Sequence, residues 1–250
     1  CPSFSASISK GKVFKSPTAK ENVSYTIKKK ANFKTLSTKE YISRVYIPFY
    51  KKPLFALSGF FVIFAFFFII FIITGSANAV NLTDGLDGLA SGCLIMVSSV
   101  LALFAFLSSN IEMAKYLNIL YIDGSQEIAI YLLSLSGGAL GFLWYNGYPA
   151  QIFMGDTGAL SMGGILGLSA ILIKREILLA IIGGIFVAEA ISVILQVLSY
   201  KYRNKKRIFL CAPLHHHYEY KGWAETKVVL RFWIVGLLLA IIGVATIKFQ

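Results

Sequence analysis

Acidic residues are scarce. The 250-residue chain carries 12 of them against 24 lysines and arginines, and only four are aspartates, Asp84, Asp87, Asp123 and Asp156. No two aspartates are adjacent, and Cys1, Cys93 and Cys211 show no CxxC spacing, so neither a disulfide framework nor a zinc site is implied. Histidine is confined to one place, the run His215-His216-His217. Polar surface is also short: 56% of residues are hydrophobic and the mean hydropathy is +0.69, which excludes an ordinary soluble domain. The net charge of +12 suits a membrane surface before it suits a nucleic acid, so no nucleic-acid partner is expected.

Long apolar runs fill the space. Six candidate spans cover Leu54–Ala77, Leu89–Leu107, Ile128–Trp144, Thr157–Ile173, Ile177–Tyr200 and Val228–Ile247. Roughly 20 residues at about 1.5 Å each cross a hydrocarbon core of about 30 Å, so the fourth run is the weakest candidate. The runs are unbroken and lack the two-residue alternation of barrel strands, and the fold class expected is an all-α polytopic membrane protein of about six transmembrane helices. The first run starts far from the N-terminus with no cleavage site after it, so it is not read as a secretory signal. Cys1 fits a lipidated terminus or, more simply, an internal piece of a longer protein.

Residues 1–52 are rich in lysine and serine, with the run Lys28-Lys29-Lys30, and read as a basic extramembrane segment, either solvated or resting on anionic headgroups. Residues 53–250 form the transmembrane region. If the first helix leaves one side, parity places the loops 78–88, 145–156 and 201–227 together on the other. Lys201, Arg203, Lys205, Lys206 and Arg207 mark that side as cytoplasmic by the positive-inside rule. The same rule opposes an external 1–52 segment; the short loop next to spans is given more weight.

Three of the four aspartates lie in these same-side loops. Asn78, Asn81, Asp84 and Asp87 recur every three residues, with Gly85 and Gly88 between. This is a binding loop, or a helix start capped by Thr83 or Asp84; Asn81-Leu82-Thr83 also matches a glycosylation triplet, which a cytoplasmic position removes. Asp156, in Phe153-Met154-Gly155-Asp156-Thr157-Gly158, sits where a helix begins and is either a cap or, preferably, a metal ligand, with Mg²⁺ the natural ion. The three histidines suit phosphate contact first and proton transfer second. Glu189, Ser192 and Gln196 form one polar stripe on the fifth run, read equally as facing a cavity or as helix–helix hydrogen bonding.

The segments Asn78–Ala90, Tyr148–Asp156, Ala212–Trp223 and Arg231–Trp233 closely resemble the phospho-N-acetylmuramoyl-pentapeptide transferase family, over about Tyr46 to the C-terminus. The resemblance implies transfer of phospho-MurNAc-pentapeptide from its UDP carrier to undecaprenyl phosphate, giving lipid I and UMP for peptidoglycan, with Mg²⁺, at the cytoplasmic face of a bacterial plasma membrane. It implies Asp156 as metal ligand, with His215 and His216 by the phosphates. Asn81, Asp84, Gly85, Leu86, Asp87, Asn146, Phe153, Gln196 and His217 fall on the substrate side, where Phe153 would stack on uracil. A homodimer is a further expectation. Two positions depart: Ala159 stands for the usual Ser and Ala224 for the usual Pro. The family also has ten spans and an Asp-Asp-x-x-Lys motif in its first half, so this chain looks like the last six spans, expected to be inactive alone. The alternatives are a related GlcNAc-1-phosphate transferase and a non-catalytic membrane protein, either a transporter or a remnant.

Overall fold

The structure is a computed structural model. It describes residues 62–249 apart from 204, and before them only the pieces 19–22, 33–36, 41–42, 44–46 and 55–56. The run at 28–30 lies outside the described residues, as do 54 and 57–61 of the first expected span, while Phe55–Ala56 of that span form a short strand and not a helix.

Six described helices are long and apolar enough to cross a membrane. They are α1 (Val62–Thr83), α2 (Leu89–Ser109), α4 (Ser125–Asn146), α5 (Gly155–Leu172), α7 (Gly184–Tyr202) and α9 (Glu225–Ala245). Short helices α3 (Ile111–Leu117), α6 (Glu176–Ile182) and α8 (Leu214–Tyr220) join them. The expected multi-pass helical architecture is what the chain forms.

Two boundaries differ from the hydropathy reading. The first span runs to Thr83, so Asn78 and Asn81 are helical and only residues 84–88 form a loop. Asn78 Nδ2 donates to the Thr74 carbonyl at 2.7 Å and Thr83 Oγ1 to that of Ala79 at 2.8 Å, so their polar groups are satisfied within the helix and need not end it. The fifth run is two helices, α6 and α7, parted at the Gly183-Gly184 pair. Paired glycines are weak helix formers.

α2 is the most enclosed of the six and packs on α4, with α9, α5 and α6 around it. α1 lies against α5 and α7. The α1–α5 contact depends on missing side chains: a Cβ on Gly163 would stand 2.5 Å from the Ser76 carbonyl oxygen, and one on Gly167 would stand 2.2 Å from Ser76 Oγ. That closeness lets Ser76 Oγ donate to the Gly163 carbonyl at 2.8 Å, the small-residue packing that membrane helices use in place of a hydrophobic drive.

At the end away from the motifs, β1 (Ala19–Asn22) pairs antiparallel with β2 (Phe33–Thr35) and with β5 (Tyr121–Ile122), which sits between α3 and α4. A second ribbon joins β3 (Arg44–Val45) to β4 (Phe55–Ala56). Leu36 and Tyr41 are buried, so these parts of the basic segment dock on the bundle rather than standing in solvent. The Tyr41 hydroxyl donates to the Leu172 carbonyl. Lys174 Nζ reaches Glu176 Oε1 at 3.3 Å and the Ile42 carbonyl at 3.2 Å, and it lies 5.1 Å from the Tyr41 ring centre. Buried charge is retained there because each partner is at hand.

Gly163→Ala is expected to lower stability by about 1–3 kcal/mol, the cost of overpacking against backbone that cannot yield. Gly164→Ala, with nothing within 4 Å, is expected to leave it unchanged; thermal unfolding in detergent compares the two.

Candidate active site

The three loops meet at one end of the bundle, as parity requires. The meeting point is built on helix ends. α1 delivers Asn81, whose Nδ2 donates to Asp156 Oδ1 at 2.9 Å. Asp156 sits in the first turn of α5 without acting as its cap: the cap position is Met154 and no side chain bonds there. The exposed carboxylate therefore remains available at the positive end of a helix dipole. Asp84 stands close by. Burial first, and then the negative charge of Asp156, push its carboxyl above the usual 3.8.

Two acids that repel, one exposed and one half-buried, are the hard oxygen donors that Mg²⁺ takes, with remaining positions left to water and phosphate. No cluster of three or more His, Cys, Asp or Glu forms among the described residues. The donor set therefore fits an ion held jointly with a phosphorylated substrate better than an all-protein cage.

Asp87 and Asn146 fasten loops. The Asp87 amide donates to Glu225 Oε1 and its Oδ2 accepts from the Ala150 amide, both at 2.9 Å. Asn146 Oδ1 accepts from the Gly88 amide at 3.2 Å and Ser91 Oγ at 3.0 Å, while Nδ2 donates to the Ile152 carbonyl at 2.9 Å. These contacts tie residues 84–88 to residues 147–152. Leu86 is buried beneath them, and Phe153 projects with 76% of its surface exposed.

The triple-histidine segment is the helix α8, not a loop, and its three rings have separate roles. His215 is buried. Its ring faces the 84–88 loop so closely that a Cβ on Gly85 would lie 2.4 Å from Nε2. His216 Nδ1 lies 2.6 Å from Glu219 Oε2. His217 Nδ1 accepts from the Leu210 amide at 3.1 Å, so that nitrogen carries no proton. Burial and then Lys221 lower the basicity of His217 further.

Glu189 explains how α8 is held. It has no exposure at all, and its Oε2 accepts from the Leu214 amide at 2.6 Å while Oε1 accepts from that of His215 at 3.2 Å. Oε1 is also 3.2 Å from His215 Nδ1, at an angle that does not make a hydrogen bond. The stripe read on the fifth run is thus two separate devices. Glu189 satisfies the free amides of α8. Gln196 clamps the following loop, accepting from the Ile208 and Phe209 amides at 3.0 Å each and donating to the Phe209 carbonyl at 2.9 Å. Ser192 bonds its own helix at the Glu189 carbonyl. Glu225 was absent from the sequence-based set; nothing local marks it apart from a helix-start acid, because its partner lies 138 positions away.

The fold and site together define a multi-pass helical membrane protein with a carboxylate and imidazole site at one end of its bundle. The chain belongs to Glycosyl transferase family 4, whose profile matches residues 28–174. It is 68% identical over 217 residues to a phospho-N-acetylmuramoyl-pentapeptide-transferase of Protochlamydia amoebophila, covering 87% of this chain and 53% of that protein. Proteins of the same name match at 56% identity over 209 residues in Leptospira biflexa (84% of this chain, 55% of the relative). In Pelagibacter ubique the identity is 52% over 215 residues (86% and 58%). The chain spans about half the length of the curated relatives it matches.

Glu189→Leu is expected to destabilise the α8 end by about 1–3 kcal/mol, since it strands buried amides. Glu189→Gln, which keeps an acceptor, should cost less; protection of those amides from hydrogen exchange reads the difference. Asp84 provides a pH test. Its folded carboxyl binds its proton more tightly than the unfolded one, so its contribution to stability falls as pH rises from the ordinary carboxylate value through the raised one. Asp156→Asn is expected to narrow that window and Asp84→Asn to abolish it, measured as unfolding temperature against pH.

Proposed function

We propose that this chain is the substrate-handling half of an enzyme that moves phospho-MurNAc-pentapeptide from UDP-MurNAc-pentapeptide to undecaprenyl phosphate, releasing UMP and lipid I for peptidoglycan synthesis. The observation that carries it is the convergence of Asp84, Asp156 and α8 at the end of a membrane bundle. There a diphosphate from the aqueous side and a phosphate on a lipid can meet. In the reaction an oxygen of the lipid phosphate forms a bond to the sugar-side phosphorus of the diphosphate, and the bond from that phosphorus to the UMP oxygen breaks.

A Mg²⁺ ion held by Asp156, with Asp84 beside it, would neutralise charge on the diphosphate. The chain supplies the rest by position. Asn81 fixes the Asp156 carboxylate through its 2.9 Å bond. Glu219 holds His216 by Nδ1, and Nε2, when it also carries a proton, would donate to a phosphate oxygen. Phe153, exposed at the rim, offers a face for uracil. Asp87, Asn146 and Gln196 hold the loops that carry these groups, which supports a role for them in binding through loop geometry. His215 supports the 84–88 loop from beneath, and His217 holds the Leu210 amide through Nδ1. The basic stretch Lys201–Arg207 lies at the same end as the site, which supports a cytoplasmic placement in a bacterial plasma membrane.

On this reading the 250-residue chain alone does not turn over, because no paired aspartates are present to complete the site. Joining it to the upstream half of the Protochlamydia relative is expected to give Mg²⁺-dependent UMP release from UDP-MurNAc-pentapeptide in nanodiscs. Asp156→Asn in that protein should lower the rate at least about 100-fold, the scale of losing one group that stabilises transition-state charge. UMP release undiminished by the substitution, or obtained from UDP-GlcNAc alone, would overturn the assignment.

A further inference from the structure

Three cations gather on two stacked rings at the corner between α8 and α9. The rings of Tyr218 and Trp223 stack with centres 4.6 Å apart and planes 25° apart. Lys221 Nζ stands 5.6 Å from the Tyr218 centre, while Lys227 Nζ and Arg231 Cζ stand 5.5 Å and 4.1 Å from the Trp223 centre. Cations over aromatic faces are drawn in by the ring quadrupole. Here the pull gathers like charges at one corner, where they repel one another.

Nothing in the described protein answers that charge. Among the described residues none of the three takes part in an ion pair. The two acids close in sequence are already engaged, Glu219 with His216 and Glu225 with the Asp87 amide. All three cations are exposed.

The direction of α9 says what could reach them. Lys227 and Arg231 share one helix face with Ile234, Leu238 and Ile241, at steps of four, three, four and three residues. Those three apolar side chains are 52%, 54% and 57% exposed. From Arg231 to Ile241 the helix advances about 15 Å, half of a hydrocarbon core of about 30 Å. A lipid of one leaflet would thus have an apolar stripe of matching length beneath a pair of cations.

We infer that this corner binds the phosphate headgroup of an anionic phospholipid, with its acyl chains along the Ile234–Leu238–Ile241 stripe. A zwitterionic lipid carries its own cation and satisfies the corner less well. The inference rests on the membrane-spanning architecture and not on the enzymatic reading. The Tyr218–Trp223 stack links the lipid site to α8, so an occupied corner would steady the helix that carries the histidines.

The test uses the 250-residue chain in detergent micelles, given equal dioleoylphosphatidylglycerol and dioleoylphosphatidylcholine and read by native mass spectrometry. Phosphatidylglycerol is expected to be retained in preference. Removing a cation near an anionic headgroup should cost about fivefold in that preference, so Lys227→Gln with Arg231→Gln should lose roughly 25-fold. Lys115→Gln, an exposed lysine on α3 at the other end, should lose none. Trp223→Leu keeps every charge and should still weaken retention, because the cations lose their platform. Should the double variant fail to fold, Lys227→Gln alone decides, by its fivefold loss. Equal retention of the two lipids, an unchanged preference in the Lys227 and Arg231 variants, or an equal loss in Lys115→Gln would overturn the inference. So would retention of a polyprenyl monophosphate where phosphatidylglycerol is not held.

Discussion

A carboxylate with no access to water holds the functional end of this protein together. Glu189 takes the Leu214 and His215 amides, and through them α8 stands on α7. His215 then lies under Gly85, and the 84–88 loop is pinned from below by a ring and from the side by Asn146 and Ala150. Asp84 comes close enough to Asp156 to feel its charge. These contacts run from one element to the next, and the first is made by a carboxyl group that water does not reach. Such a group is tolerated in a membrane bundle only when its partners are already in place, which makes the arrangement all-or-none.

The two ends of the bundle treat charge in opposite ways. At the end with the basic segment, Lys174 and Glu176 are buried and paired, and Tyr41 closes over them. At the motif end, Asp156 is exposed, Asp84 is half-buried, and both have acids for neighbours. The first arrangement holds chain segments together. The second sets two carboxyl groups side by side, which under the proposed function would share a metal with a phosphorylated substrate. Exposed aromatics and cations gather at the same end, from Phe153 to Arg231, and such amphipathic side chains are most at ease where a membrane gives way to water.

Much of this was legible in the residues. Six apolar runs gave six spanning helices, and counting crossings placed the three motifs on one side. Asp156 stood out as a carboxylate at a helix start, either a cap or a metal ligand, and the structure shows that it does not cap the helix. Other features were hidden. The reading of Asn78–Gly88 as a loop missed that its first half completes α1, because the polar side chains there bond back to their own helix. The apolar run from Ile177 to Tyr200 gave no warning of its break, since hydropathy averages over the glycine pair that interrupts it.

Sequence alone determined the class of protein, the six long apolar helices found among the described residues, the grouping of the motifs at one end and the residue types available for chemistry. These follow from local properties: transfer of each segment into hydrocarbon depends on its own composition, and parity follows from counting. Only the tertiary structure decided which polar side chains are left exposed and which hold the loops. Asp87, Asn146 and Gln196 look like binding residues in the sequence, and the fold shows that they also fasten loops. Glu189 looks like half of a polar stripe and serves as the anchor of α8. A polar side chain's role is set by which partner reaches it, and here those partners come from loops tens of residues distant, brought into range only when the helices pack.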